Sequence, residues 1–557
     1  MVGFGTAAAQ GAGFAATSGG VGQICLTEAG VLLAASADGR QVGRMGIGGG
    51  APAVFTPGPT DGPPGPPALV ALGDGVALAQ RGADHLLLLG QEGAGFGVPR
   101  VLELGGARVA GPVAALPDGR LAVATLAGEV AIVDPAAGVQ ILMPVLAQTT
   151  HAEWQQAGGA RGLTALAAEA GPDGASRLVA AVGGSDRIVA YDLGPDGSFA
   201  PAGQIGALEG ATLAGPSDVA LLARPGATLA IVAGQGSATL AVFEIDAEGS
   251  MRVRDQIMDT RELRLGGITA VRALEVGGTA FVLAGGAEAG LSLFALGPDA
   301  RLYHLATTDA APGASFGALA DLELTTTGGG LRVHAARQGG AEVLTLDVDL
   351  SPLGLVGGTL MAETLRGSAR DDILIARPEA RHLSGGAGAD LFVFGPGAAD
   401  AGGFLGTVGD FEPGVDRLDL SGFPLVYGTA GVEIIPTAGG ARLRVGGAWL
   451  ELHTAQGRPL DPALLTDRDI VEGLHLPYVA ADAPPSFEPG GPSGWVPTVP
   501  GPMLPEPPHR GLALFAFEAQ GAPPWGAADY ADWAGFAPAP LAPAEAQAVA
   551  AHFALLF

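Results

Sequence analysis

Lysine and asparagine are absent from this 557-residue chain, cysteine occurs once, and aromatic residues make up only 5%. Each absence removes a class of chemistry. Without lysine there is no P-loop phosphate site and no Schiff-base nucleophile, and without asparagine there is no N-glycosylation sequon. All 28 basic residues are arginine, a bias that a GC-rich genome produces by avoiding the codons of both missing residues. The single Cys25 excludes an internal disulfide and a thiolate metal cluster, and its Ile-Cys-Leu setting reads as a buried hydrophobe in a strand. No run approaches the roughly 18 uninterrupted apolar residues of a membrane span. The first basic residue is Arg40 and no compact apolar core precedes it, which argues against a cleaved N-terminal secretory signal. A net charge of −28 argues against nucleic acid or an anionic membrane as the main partner.

What is abundant is glycine, 93 residues of it, in a chain whose charged residues are only 15%. High glycine without the charge of a disordered chain suits many short strands joined by tight turns, so the fold class is all-β. One pattern recurs over the first 350 residues: an apolar strand, a Gly/Asp turn, a second apolar strand, then a Gly-Pro-Asp-type turn. RLVAAVGGSDRIVAYDLGPDGSF (177–199), TLAIVAGQGSATLAVFEIDAEGSM (228–251) and TAFVLAGGAEAGLSLFALGPDARL (279–302) are its clearest copies. Anchors at Val31, Val76, Leu121, Leu178, Leu229, Phe281 and Leu331 are spaced by 45, 45, 57, 51, 52 and 50 residues. Three strands are visible per unit and a fourth fits before the next unit begins. Seven such units predict a seven-bladed β-propeller, with the blades packed face to face around an axis.

The hairpin GSDRIVAYDLGPDG resembles blades of lactonase-like and related seven-bladed propellers. That resemblance implies a fold over about residues 20–350. No catalytic constellation of those lactonases maps onto this chain, so a lactonase-like hydrolase is kept only as the alternative function.

Residues 367–393 divide into three nine-residue units: GSARDDILI, ARPEARHLS and GGAGADLFV. Position eight is apolar in each, as Leu374, Leu383 and Phe392. The third unit matches the GGxGxDxUx nonapeptide of RTX calcium-binding proteins. DLFVFGPG (390–397), VGDFEPGVDRLDLSGF (408–423), two strands in GGARLRVGGAWLEL (439–452) and LDPALLTDRDI (460–470) look like the segment that follows RTX repeats in serralysin-type and related exported proteins. The resemblance implies a parallel β-roll in which alternate units share a side, with Asp372 and Asp390 at equivalent positions. Gly367, Gly385, Gly386 and Gly388 would let backbone carbonyls converge, and the two aspartates would supply charge to a Ca2+ ion. Unit two has lost its glycines and carries Arg381 where the aspartate belongs. At most one calcium site is expected, and a glycine-rich turn that keeps the roll's shape without metal is the alternative. Such modules travel through type I secretion machinery that reads an uncleaved C-terminal signal, which implies an extracellular protein.

The expected organisation is therefore a propeller over 1–350, an RTX-like β-roll with capping strands over 351–475, and a proline-rich linker and tail over 476–557. The tail contains PPSFEPGGPSGWVPTVPGPMLPEPP (484–508) and ends in PAEAQAVAAHFALLF (543–557), which could form a short helix, hold a secretion signal or dock on the propeller. Several apparent sites carry little. GASFG (313–317) matches the nucleophile-elbow string at Ser315 but falls between blades, not between a strand and a helix. HAEW (151–154) places His151 and Glu153 in an inter-blade insertion with no identified partners. His85, His151, His304 and His334 show no metal-ligand spacing, and no H-E-x-x-H occurs, so the serralysin protease domain is absent. The leading function is an exported calcium-binding protein whose propeller is a platform for an extracellular protein or glycan.

Overall fold

A computed structural model of the chain describes residues 2–476, apart from segments at 11–13, 15–18, 46–52, 59–65, 74, 94, 145–161, 172–173, 197, 309, 312–313, 362 and 472. Residues 140–144, 208, 310–311, 314–315 and 360–361 are described by their backbone alone. HAEW and the tail beyond Leu476 thus lie outside the described residues. Residues Met1–Asp482 group as one compact unit.

Seven antiparallel sheets span 21–55, 68–103, 109–144, 163–206, 216–258, 268–308 and 319–349. Their first strands pack each on the next, and the seventh packs on the first, so the ring closes. The chain is a seven-bladed β-propeller, as the anchor spacing predicts. Six of the seven anchors lie in the second strand of their blade, and Val31 immediately precedes its own. These second strands are buried on both faces: Ser176–Val182 is covered along its whole length, as is Leu32–Ser36. Sheets stacked on both sides leave no solvent face, which is why the strands read as continuous runs of Ala, Val and Leu and do not alternate. Between the fourth and fifth blades the filling is Val179, Ala181, Ala190, Ala230, Val232 and Phe243.

Hydroxyls stitch the ring near its axis. Thr164 Oγ1 donates to the Pro216 carbonyl (2.5 Å), Ser217 Oγ to Ile268 (2.8 Å) and Thr269 Oγ1 to Leu319 (3.2 Å). Each donor sits in a β-bulge of its blade's first strand, where the ladder register shifts by one residue. A bulge turns one side chain out of the pleat, and here it delivers a hydroxyl to the neighbouring blade.

The last blade is completed from the other end of the sequence. Gly3–Phe4 and Ala8–Gln10 pair antiparallel with Val343–Asp349, in the registers Gly3↔Asp349 and Ala8↔Thr345. These short strands cover the outer edge of Val343–Asp349.

Beyond Asp349 the chain coils between two sheets. Leu353–Val356, Asp371–Ile375, Leu391–Val393 and Arg417–Asp419 form one parallel sheet. Thr364–Arg366, His382–Ser384, Phe404–Phe411 and Ala448–Thr454 run parallel in the other, which Gly440–Val445 and Glu433–Thr437 extend as antiparallel strands. Leu365, Leu374, Leu383, Phe392, Val408 and Leu418 fill the space between the sheets. The outer face of the first sheet packs on the sixth blade, where Ile373, Ile375, Leu391 and Val393 meet Ala295 and Tyr303. The chain then returns to the propeller. Met258 N donates to Leu474 O (3.0 Å) and Leu476 N to Gln256 O (2.7 Å), so residues 474–476 add to the outer strand of the fifth blade.

Candidate functional site

Parallel pairing of Leu374 with Phe392, and of Phe392 with Leu418, sets three Asp-x-apolar steps one above another: Asp372-Ile373-Leu374, Asp390-Leu391-Phe392 and Asp416-Arg417-Leu418. The carboxylates interlock along the stack. Asp372 Oδ1 accepts from Leu355 N, Asp390 Oδ1 from Asp372 N (2.9 Å), and Asp416 Oδ1 from Asp390 N (3.0 Å). The three residues are all but inaccessible, at 1%, 2% and 3% exposure. Asp372 is fully engaged: besides Leu355 N it accepts from Ser368 N (2.6 Å) and Ser368 Oγ. Asp416 also caps its own turn through Glu412 N (2.8 Å).

The glycines make this stacking possible. A Cβ at Gly385 would lie 2.0 Å from Asp390 Oδ2, and one at Gly367 would lie 2.2 Å from the Gly385 carbonyl. Gly386 (φ 103°) and Gly388 (φ 131°) hold conformations that L side chains avoid, and a Cβ on either would strike the Ser368 or Arg370 carbonyl oxygen at 2.2 or 2.4 Å. Carbonyl oxygens and carboxylates therefore converge in a cradle that only glycine leaves open. Asp410 closes one side, accepting from Ser384 Oγ (2.8 Å), Gly385 N (3.0 Å) and Gly386 N (3.1 Å).

Electrostatically the stack is strained. Burial, reinforced by the Asp416, Asp372 and Asp410 carboxylates, pushes the Asp390 carboxyl up to about 7. Burial with Glu412 and Asp410 pushes Asp416 up to about 6. Among the described residues no three His, Cys, Asp or Glu side chains converge as a metal centre. A cation here would have to draw on backbone carbonyls together with carboxylate oxygen, a hard donor set.

The structure thus brings Asp372, Asp390, Gly367, Gly385, Gly386 and Gly388 into one place. Sequence reasoning passed over Asp416, Asp410 and Ser368. The repeated Asp-x-apolar step was the available signal for Asp416, masked because its turn is longer than nine residues. Nothing local marks Asp410, which reaches its partners across 25 residues of chain.

A second polar cluster lies on the first strands that ring the propeller axis. Arg272 donates to Asp218 Oδ2 (2.8 Å) and Asp321 Oδ1 (2.8 Å), and lies 3.9 Å from Glu323 Oε1. Asp321 also accepts from Ile24 N (3.0 Å) and Asp218 from Val271 N (2.9 Å), so both join neighbouring blades. Burial, offset in part by Arg272, pushes Glu323 up to about 7. Cys25 is buried nearby; burial, with Glu323 and Asp321, raises its thiol far above the usual range and leaves it inert. Ser315 ends a two-residue strand paired with Ala310–Ala311, between the sixth and seventh blades and beside no helix among the described residues.

No protein-family model matches the sequence, and a search of curated proteins gives no match. Solved structures similar to it include virginiamycin B lyase from Staphylococcus aureus, with TM-score 0.42 and 9% identity over 61% of this chain and 99% of that one. A streptogramin B lyase gives 0.41 and 12% over 60% and 94%, and the Dos1 propeller gives 0.40 and 10% over 59% and 77%. The strand order defines the class by itself: a seven-bladed β-propeller. It carries a second, parallel-stranded coil on the flank of its sixth blade. No helix among the described residues is long and apolar enough to cross a membrane.

Proposed function

We propose that this is an exported calcium-binding protein of RTX type whose propeller serves as a binding platform. One observation carries the reading: the stack of Asp372, Asp390 and Asp416 in a glycine-lined cradle where carboxylate and carbonyl oxygens converge. Buried carboxylates that repel one another call for a cation, and the residues present suit calcium. Asp390 would hold it together with the carbonyls that Gly385, Gly386 and Gly388 leave accessible. Asp372, saturated by Leu355 and Ser368, would fix the turn. Bound calcium would supply positive charge beside the raised Asp390 carboxyl and favour its ionised form.

Export through type I secretion machinery follows from the same resemblance. A module whose carboxylates repel without calcium folds poorly where calcium is scarce, and is pulled to the native state where calcium is plentiful. An extracellular location and an extracellular protein or glycan as partner belong to this reading.

The test is calorimetric titration of calcium into the full-length protein, beside an Asp390→Ala variant, with thermal unfolding in calcium and in chelator. Saturable binding, a rise in Tm with calcium and the loss of both in the variant are expected. Equal Tm in calcium and chelator for the unmodified protein would overturn the proposal. The axial cluster favours a second reading, a hydrolase using Glu323 at the propeller axis, because a carboxyl near 7 suits proton transfer. Turnover of a lactone panel that disappears in Glu323→Gln would support it, and an inactive unmodified protein would remove it.

A further inference from the structure

We propose that the cleft along the seam between the fifth and sixth blades and the C-terminal coil binds a neutral, hydroxyl-rich ligand, a saccharide unit. This deepens the reading of the propeller as a binding platform and rests on it. The cleft encloses about 400 Å³, within the usual range of small-molecule sites. Ile375, Val393 and Phe423 supply apolar wall, while Asp299, Arg301 and Ser421 bring polar groups to it.

Two independent features point to a ligand of this chemistry. The first is a buried atom of the cleft's own lining with no hydrogen-bond partner among the described residues, His475 Nε2. His475 is fixed from its other side, with Nδ1 2.6 Å from Asp255 Oδ1. Arg301, also in the lining, has Nη1 3.6 Å from the buried Asp419 Oδ2. Against the burial that opposes it, Arg301, His475 and hydrogen bonds from Ser421 hold the Asp419 carboxyl below its usual range. A hydroxyl group answers the unmet His475 Nε2, since it either accepts from or donates to an imidazole nitrogen. An anion would face Asp255 and Asp299, and a cation would face Arg254 and Arg301.

The second feature is the rim. Residues 423–427 turn outward so that Tyr427 is 62% exposed and Leu425 80% exposed, and Leu425 holds a left-handed backbone at φ 64°. A bulky residue in that conformation is costly, and such outliers persist where the surroundings impose them at functional sites. An exposed aromatic face above a floor of carboxylate, guanidinium and hydroxyl groups matches the two faces of a sugar ring, its C–H bonds and its hydroxyls.

Saturation-transfer NMR on the full-length protein tests this with glucose, galactose, mannose, cellobiose and lactose, each in calcium and in chelator. Saturable transfer from at least one sugar is expected. Affinity should fall about tenfold in Tyr427→Ala, with Tm unchanged because the side chain is exposed, and by a similar factor in His475→Gln, which keeps a polar group beside Asp255. No saturable transfer from any of the five sugars would overturn the inference, as would affinity unchanged in both variants. Sugar binding that persists in a protein showing no calcium response keeps the seam site while the calcium reading fails. A normal calcium response without sugar transfer sinks the saccharide site alone.

Discussion

Replacing Arg301 by leucine should uncouple the C-terminal coil from the propeller. Arg301 Nη2 donates to Ser421 Oγ at 2.8 Å, Nη1 lies 3.6 Å from Asp419 Oδ2, and Nε lies 4.0 Å from Asp255 Oδ1. The Asp419 and Asp255 side chains are 0% and 4% exposed. Removing the guanidinium leaves two buried carboxylates with His475 as their remaining ionisable neighbour, beside the backbone N–H groups of Leu302 and Ser421. Breaking a buried pair by deleting one member costs about 3–5 kcal/mol, far more than the pair contributes relative to an apolar replacement. Asp419→Leu alone should cost a similar amount. The double variant Arg301→Leu/Asp419→Leu should cost less than either single change, leaving a coupling of about 2 kcal/mol or more. Urea unfolding followed by far-UV circular dichroism measures all three, and a two-step transition in the single variants would report early release of the coil. Losses below about 1 kcal/mol in both single variants, the level of a solvent-exposed pair, would refute the reasoning by showing that the seam is wet.

Other expectations can be checked on the same protein. Deleting residues 2–10 removes the strands that complete the seventh blade and should lower Tm and promote association through the exposed edge, read by calorimetry and light scattering. Burial, with Arg417 and Arg332 respectively, holds His304 and His334 at about 4. The folded state therefore keeps both neutral while the unfolded chain takes up protons below about 6.5, so stability falls as pH drops from about 6.5 to 4 and flattens beneath. A His304→Gln/His334→Gln variant should lose much of that slope in Tm against pH. The raised Asp390 carboxyl contributes with the opposite sign: in calcium-free protein its contribution is lost as pH rises from about 4 towards 7, and Asp390→Asn should remove that component of the profile. Gly385→Ala, whose Cβ would collide with Asp390, should lower Tm and abolish any calcium response together.

The blade pattern was legible because each second strand must be apolar on both faces while glycine and aspartate mark its turns. Repeats of that kind survive even where the first two copies are weak. Closure of the seventh blade was not legible, since Gly3–Phe4 and Ala8–Gln10 are too short and featureless to announce a partner at Val343–Asp349. In the coil, Leu374, Leu383 and Phe392 stood out by their ninefold spacing and do lie in its core. The seam was invisible for a different reason. Asp255 and His475 are 220 residues apart, and neither has a neighbour in sequence that marks it as half of a pair. The hydroxyls of Thr164, Ser217 and Thr269 look like ordinary strand residues until the bulges that turn them are seen.

The pairing of Gly3 with Asp349 also constrains the order of events as the chain folds. Gly3–Phe4 cannot find its partner until nearly all of the propeller has been made. Until then the seventh blade keeps an unpaired strand edge. Contacts this distant in sequence demand closure of a very long loop and slow the final step. The last blade is thus a checkpoint for completeness: a truncated or stalled chain would fail to seal, and would remain accessible to proteases in a way the finished ring is not.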